Sequence, residues 1–396
     1  MNNPVFIAAK TALSKQLKIA DPTEMYKYFV TYPNLCSKEQ LQKENPIEIL
    51  NKLIFLGGFH ERRNCGTIIK DMVANCLRQF RNFEPDLDVS NLVQLFLTLS
   101  NVLLYDEKLI NLILNQLKQK QDQIQIKQLQ SITHCLFKLG IQDQYWPNLM
   151  HQKVMRYSQV FGIQDLVQHI HIVSNQVLLN NCQEERLFQL LELLQYKFLH
   201  QKKHIYLSKF QFQYTQLLFN LYPELIKQNY DHPYCNEDNK YKIFFDQFKK
   251  DYQICRLLLD RKVNSITVDY FENDNFPNLI RIKDDVIEKK KSLFEQNIEQ
   301  LLKSLKLHYQ QQKKICIYEI DFFVENKFLL NCNGPTHYIQ NLDKEVLRIS
   351  PNFLMQQRHL GQLDNYQIID LDFYIWDKYD TSDKYTQEFK KLLNLM

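Results

Sequence analysis

Three leucine-rich segments, LVQLFLTLSNVLLYDEKLINLIL from Leu92, LQSITHCLFKLGIQDQYWPNLM from Leu129 and LVQHIHIVSNQVLLNNCQEERLFQLL from Leu166, each start 37 residues after the one before. Within each, apolar residues recur at i, i+3, i+4 and i+7, which predicts a pair of amphipathic helices. Polar or glycine-containing breaks at Ser100-Asn101, Leu139-Gly140 and Ser174-Asn175 would divide the two helices. A helix pair of this size cannot bury its apolar stripe alone, so neighbouring units must stack into a solenoid. The stretches from Ile47 and from Phe212 read as more divergent units of the same array. Such an array offers a concave face to a long ligand, either protein or single-stranded RNA. The repeats share no side chain that would read a base.

The scarcity of chain-breaking residues agrees, with 7 glycines and 11 prolines in 396 residues. The length calls for more than one domain. The expected division is an N-terminal extension over 1–40, the helical-repeat array over 41–228, a linker with one helix over 229–284, and a separate domain over 285–396. The net charge of +4 does not by itself demand a polyanionic partner. Nine well-separated cysteines without a CxxC pair argue for reduced thiols rather than a disulfide framework or zinc site. No apolar run reaches the roughly 20 residues that span a bilayer, so no membrane insertion is expected. Residues 1–20 contain three lysines and no acid. They read either as a mitochondrial targeting helix or as the first amphipathic helix of the fold.

The C-terminal region changes character. A long amphipathic helix toward Tyr309 leads into the β-rich runs KKICIYEIDFFV and KFLLNCN, joined by a hairpin at Glu325-Asn326. The helix NFLMQQRHLGQL, the strand YQIIDLDFY and the helix SDKYTQEFKKLLNLM follow. The order α-β-β-α-β-α predicts a small α/β sandwich on a mixed sheet. Gly334-Pro335 would set a tight corner, with glycine tolerating its backbone angles. His337 and Tyr338 at that corner can stack on an unstacked base, although His337 reads equally well as a structural histidine. Arg358 and His359 on the following helix, and Lys378 beyond Trp376, can reach phosphate. Trp376 itself reads as core. The pair His200/His204 lacks companions that would complete a metal set, His169 and His171 at i, i+2 do not face each other on a helix, and no cofactor or metal is expected.

The stations Ile320-Asp321-Phe322-Phe323, Gly334-Pro335-Thr336-His337-Tyr338, Gln357-Arg358-His359-Leu360 and Tyr374-Ile375-Trp376-Asp377-Lys378 resemble a RAP domain. The upstream helices, with Phe137-Lys138-Leu139-Gly140 closing one of them, are similar to those of octotricopeptide and FAST-kinase-type organellar RNA factors. The resemblance implies a restriction-endonuclease-like fold, RNA as partner and a place in the mitochondrial matrix. The near-neutral net charge, the glutamines Gln356 and Gln357 where the family carries basic residues, and the amides described below favour a component of the mitochondrial ribosome contacting rRNA among neighbouring proteins. An RNA-processing factor and a protein-only scaffold subunit are the alternatives.

Active nucleases of that fold hold Mg²⁺ between an acid ending one strand and acids on the next. In this chain Asp321 matches the first acid, but Asn331 and Asn333 occupy the other two positions. Neutral amides cannot supply the charge a hard divalent cation needs. Glu319, on the same strand face as Asp321, is the one substitute. No catalytic residue is therefore expected, and the reading is a nuclease-shaped module that binds without cleaving.

Overall fold

The computed structural model describes residues 4–63, 66–83, 85–178, scattered helical positions between 186 and 220, and residues 292–315, 318–376 and 382–393. The linker expected over 229–284, His200/His204 and Lys378 lie outside the described residues. The chain divides into two compact units. One comprises residues 1–161, 292–311 and 321–396, and the other 162–291 with 312–320.

The first unit begins with helices α1 (Pro4–Leu17), α2 (Pro22–Thr31) and α3 (Lys38–Leu41), and then α4 (Pro46–Arg63) and α5 (Gly66–Phe80). Next come α6 (Val89–Val102), α7 (Glu107–Gln119), α8 (Ile126–Lys138) and α9 (Tyr145–Arg156). The second unit contains α10 (Ile163–Leu178). Helices α6, α8 and α10 start at 89, 126 and 163, the 37-residue period read from the sequence. Aspartates cap the helices of one repeat, with Asp88 accepting from the Asn91 N–H at 2.8 Å and Asp106 from the Leu109 N–H at 2.8 Å. Such caps supply acceptors for N–H groups that the first turn leaves unpaired.

The same period governs the turns. Leu103 and Gly140 both adopt left-handed backbone, at φ 53° and 60°, and the residue after each closes a hydrogen bond over the helix end. These are Leu104 N–H to Leu99 O at 3.0 Å and Ile141 N–H to Leu136 O at 2.8 Å, a Schellman-type ending. Two of the expected breaks are therefore misplaced. Ser100-Asn101 lies inside α6 and Ser174-Asn175 inside α10, because polar residues on a helix's last turns do not end it. Gly57 and Gly58 also lie within a helix, where they let neighbours approach closely. A Cβ on Gly57 would fall 2.6 Å from Thr98, and one on Gly58 2.7 Å from the Phe6 ring of α1. Helix α1 buries Phe6, Ala9 and Leu13, so it packs as part of this fold.

The C-terminal segment runs α11 (Leu293–Ser304), β1 (Tyr309–Ile315), β2 (Tyr318–Val324), β3 (Phe328–Asn333), β4 (Tyr338–Gln340) and β5 (Val346–Ile349). It ends with α12 (Pro351–Leu360), β6 (Gln367–Asp372), α13 (Phe373–Trp376) and α14 (Ser382–Leu392). The sequence order missed β1, whose polar YQQQKKI alternates exposed and half-buried residues and carries no apolar stripe. It also missed β4 and β5, which form a separate two-stranded ribbon. The main sheet has the order β1-β2-β3-β6. Strands β2 and β3 pair antiparallel through the hairpin at Glu325 and Asn326, both at positive φ. Strand β6 pairs parallel with β3.

Alternation along the strands sorts the residues by face. Phe322, Val324, Phe328, Leu330, Ile369 and Leu371 meet α11 and α14, and Trp376 packs edge-on to Phe389 with ring centroids 5.8 Å apart. Helix α12 lies against the other face. Among the described residues Cys36, Cys76, Cys135 and Cys332 are buried and form no disulfide. No described helix is long and apolar enough to cross a membrane.

Candidate nucleic-acid interface

On the α12 side of the sheet, five polar positions lie in a small area. They are Asp321 on β2, Asn331 and Asn333 on β3, and Asp370 and Asp372 on β6. The parallel register sets Asn331 opposite Asp370 and Asn333 opposite Asp372. The Asn331 side-chain amide donates to one Asp370 oxygen at 3.1 Å, and the Gln357 amide from α12 donates to the other at 2.8 Å. Asp321 accepts from the Cys332 backbone N–H at 2.7 Å. Asp372 accepts from the Tyr374 N–H at 2.7 Å, starting α13, and hydrogen-bonds the Tyr338 hydroxyl.

The sequence identified the two amides but not their partners. Asp370 and Asp372 were legible only as ordinary strand residues, because nothing local reveals that β6 will lie in register beside β3. Their presence gives the amides a physical reason. Two carboxylates this close, at positions 331 and 370, could not both ionise without a cation between them. An amide at 331 removes that repulsion and supplies a donor. Among the described residues no group of three or more His, Cys, Asp or Glu side chains converges as a metal site.

The other residues singled out by sequence divide. Gly334 has φ −71° and ψ 174°, ordinary extended backbone that any residue adopts, so its freedom is not used there. Open space lies where its Cβ would stand. Pro335 opens a single 3-10 turn to His337, closed by the His337 N–H donating to Gly334 O at 3.0 Å. The His337 ring stands edge-on to Phe353 at 4.9 Å, and burial lowers its pKa against the opposing pull of Asp370. The ring is therefore neutral at neutral pH. Arg358 is half-buried, while Tyr338 and His359 are buried. Helix α12 buries Phe353 and Leu360 as well as Met355 and His359, so its basic pair does not share an open face. As placed, Gly334, Pro335 and His337 form a partly open corner, whereas Tyr338 and His359 offer no face to a base or phosphate.

Tyr338 is buried because the β4–β5 ribbon docks across the turns of the helical repeats within the same unit. The Gln340 N–H donates to Leu103 O at 3.1 Å, and the Tyr105 N–H to Gln340 O at 2.8 Å. One repeat further on, Arg348 donates to Leu139 O at 2.6 Å, with its guanidinium 5.2 Å from the centroid of the Tyr105 ring. Gly140 lies beside Arg348 and Pro351. The ribbon thus meets the equivalent turn of two successive repeats. Helix α5 adds a polar seam. Lys70 donates to Tyr338 O at 3.1 Å, Arg78 donates to Leu342 O, and Lys344 pairs with Asp71 at 2.9 Å.

Burial pushes the Lys70 ammonium down to about 8, partly offset by Asp71. The unfolded chain keeps a proton that the folded chain releases between about pH 8 and the ordinary lysine value, so this group makes folding more favourable as pH rises through that window. Above about pH 10 the tyrosines act the other way, since burial raises the Tyr338 hydroxyl and pushes Tyr374 up to about 12. Lys70→Met should flatten the rise in stability between about pH 8 and 10, as measured by thermal unfolding at stepped pH.

No curated protein matches the chain. The family model described as the RAP domain matches residues 330–389, from β3 through the ribbon, α12 and β6 to α14. Asp321 lies ahead of the matched residues. The segment from Leu330 to Phe389 therefore carries a RAP domain, seated on helical repeats, and RNA binding is the function that this domain suggests.

Proposed function

We propose that this chain is a non-catalytic RNA-binding protein of the mitochondrial matrix, built into the mitochondrial ribosome among neighbouring proteins and in contact with rRNA. The RAP match carries the RNA reading. The matrix rests on the resemblance of the repeats and RAP motifs to organellar RNA factors, and the ribosome on the amides in place of acids, the sparse basic positions and the net charge of +4. The absence of chemistry rests on Asp370, whose two oxygens are held by the Asn331 and Gln357 amides. Both Asp370 oxygens already accept from neutral amides, which compete with a metal or an attacking water for the same carboxylate.

The test is crosslinking in cells, followed by sequencing of the RNA recovered with the tagged chain and fractionation of its complexes. Recovery of one rRNA site in ribosomal fractions is the expected result. Many mRNA sites would point instead to a processing factor. No RNA, with partners retained after RNase treatment, would overturn the RNA reading in favour of a scaffold.

A further inference from the structure

We propose that the exposed side of α9, in the helical repeat that starts at Leu129, is a contact surface for single-stranded RNA separate from the RAP segment. The inference rests on the RNA-binding reading above and locates a place on the chain for it. Helix α9 buries Trp146, Pro147, Met150, His151 and Val154, which leaves a solvent face bounded by Tyr145 at its start and Tyr157 at its end. Both tyrosines are 38% exposed, with one cation close to the Tyr145 ring and two close to that of Tyr157. Lys118 Nζ lies 5.0 Å from the Tyr145 centroid, while Lys153 Nζ and the Arg156 guanidinium lie 5.8 and 5.3 Å from that of Tyr157.

Some cations of the unit are neutralised and these are not. Lys52, Arg81, Lys120 and Lys344 each pair with a carboxylate. Among the described residues no carboxylate pairs with Lys118, Lys153 or Arg156. The sequence has no Asp or Glu from Gln144 to Phe161. Asp143, just before α9, is engaged by the Tyr145 and Trp146 N–H groups. Positive charge is thus uncompensated beside flat, solvent-facing rings, the pairing that backbone phosphates and unstacked bases recognise. Tyr145 is also held in place, since its hydroxyl hydrogen-bonds Gln121.

The dimensions suit a strand. Tyr145, Leu149, Gln152 and Arg156 follow one line of the helix at i, i+4, i+7 and i+11. Twelve residues at 1.5 Å separate the two rings by about 18 Å. A stacked strand advancing about 3.4 Å per nucleotide would place about five nucleotides over that length. An acidic protein surface would satisfy the cations but would leave the rings without a matching flat partner, so RNA is the better complement.

The test uses the full chain and a fluorescein-labelled oligouridylate of about 20 nucleotides, read by anisotropy. Tyr145→Ala with Tyr157→Ala should weaken binding at least tenfold at constant salt. Lys153→Gln with Arg156→Gln should weaken it and lower the salt dependence by about 1.4, or 0.7 per lost phosphate contact. All four positions lie on the surface, and unchanged thermal unfolding of the variants verifies the fold. Photocrosslinks should map to Tyr145 or Tyr157. If the unaltered chain binds the probe and both variants bind it equally well, α9 is not the contact and only this inference falls. If the unaltered chain does not bind the probe, the RNA reading falls with it.

Discussion

Phe389→Ala should destabilise the folded chain by about 3–5 kcal/mol, the range for deleting a buried aromatic ring from a core. The ring is fully buried. It stands edge-on to Trp376 and fills the layer between the sheet and α14, where Phe322, Leu330 and Leu371 also converge. Against total stabilities of about 5–15 kcal/mol, the loss is large enough to shift a urea or thermal transition clearly. The companion variant Phe96→Ala removes an equally buried ring from α6 in the repeats. Because the ribbon hydrogen-bonds the sheet segment to the repeat turns, both variants should move one shared transition. Two separate transitions, each moved by only one variant, would mean that the ribbon contacts do not couple the parts. A change below about 1 kcal/mol for Phe389→Ala would mean that α14 does not pack on the sheet as described.

What the sequence revealed follows the range of the forces involved. The 37-residue period appeared in the leucines because each helix pair carries its own apolar stripe, and the starts at Val89, Ile126 and Ile163 keep that register. Helix ends were harder to place. Gly140 marks its turn openly, but Leu103 holds the equivalent left-handed position without glycine, so one turn was visible and its counterpart was not. Strand β1 was hidden for a related reason. A polar strand at the edge of a sheet lacks the apolar alternation by which strands are recognised. The hairpin at Glu325-Asn326, by contrast, was legible from turn chemistry alone.

The site was legible to the same limited depth. Asn331 and Asn333 stood out against the acids that the resemblance leads one to expect, and Trp376 was rightly read as core. The roles of Tyr338 and His359 were not accessible, since an aromatic or basic residue in a motif reads the same whether it faces solvent or a neighbouring helix. Tyr338 is enclosed by elements more than 200 residues earlier in the chain, and Lys70 reaches its carbonyl from α5. Contacts of that range leave no periodic mark. The exposed face of α9 escaped notice for the opposite reason, because its basic and aromatic residues are scattered in sequence and gather only when wound on the helix.

Asn331→Asp should cost roughly 2–4 kcal/mol at neutral pH, because it turns a buried hydrogen-bond donor into a second carboxylate beside Asp370. Asn331 is 3% exposed and Asp370 is half-buried, so water screens the pair only in part. Like charges this close share a proton, which raises the carboxyl pKa in the folded chain above its unfolded value. The unfolded chain then releases its proton first as pH rises. The penalty should therefore be small in acid and grow as pH passes upward through the ordinary carboxylate range, which stepped-pH melts would show. Asn331→Ala loses the same donor without adding charge, so its cost should not follow pH in this way. A divalent cation offers a second check, since Mg²⁺ or Ca²⁺ at millimolar concentration should restore part of the loss in Asn331→Asp and none in Asn331→Ala. Identical, pH-independent losses in the two variants would show that Asp370 does not share the buried site with position 331. Cleavage of RNA is not expected to accompany cation binding, because Gln357 would still occupy the second Asp370 oxygen and Asn333 would still leave the third position uncharged.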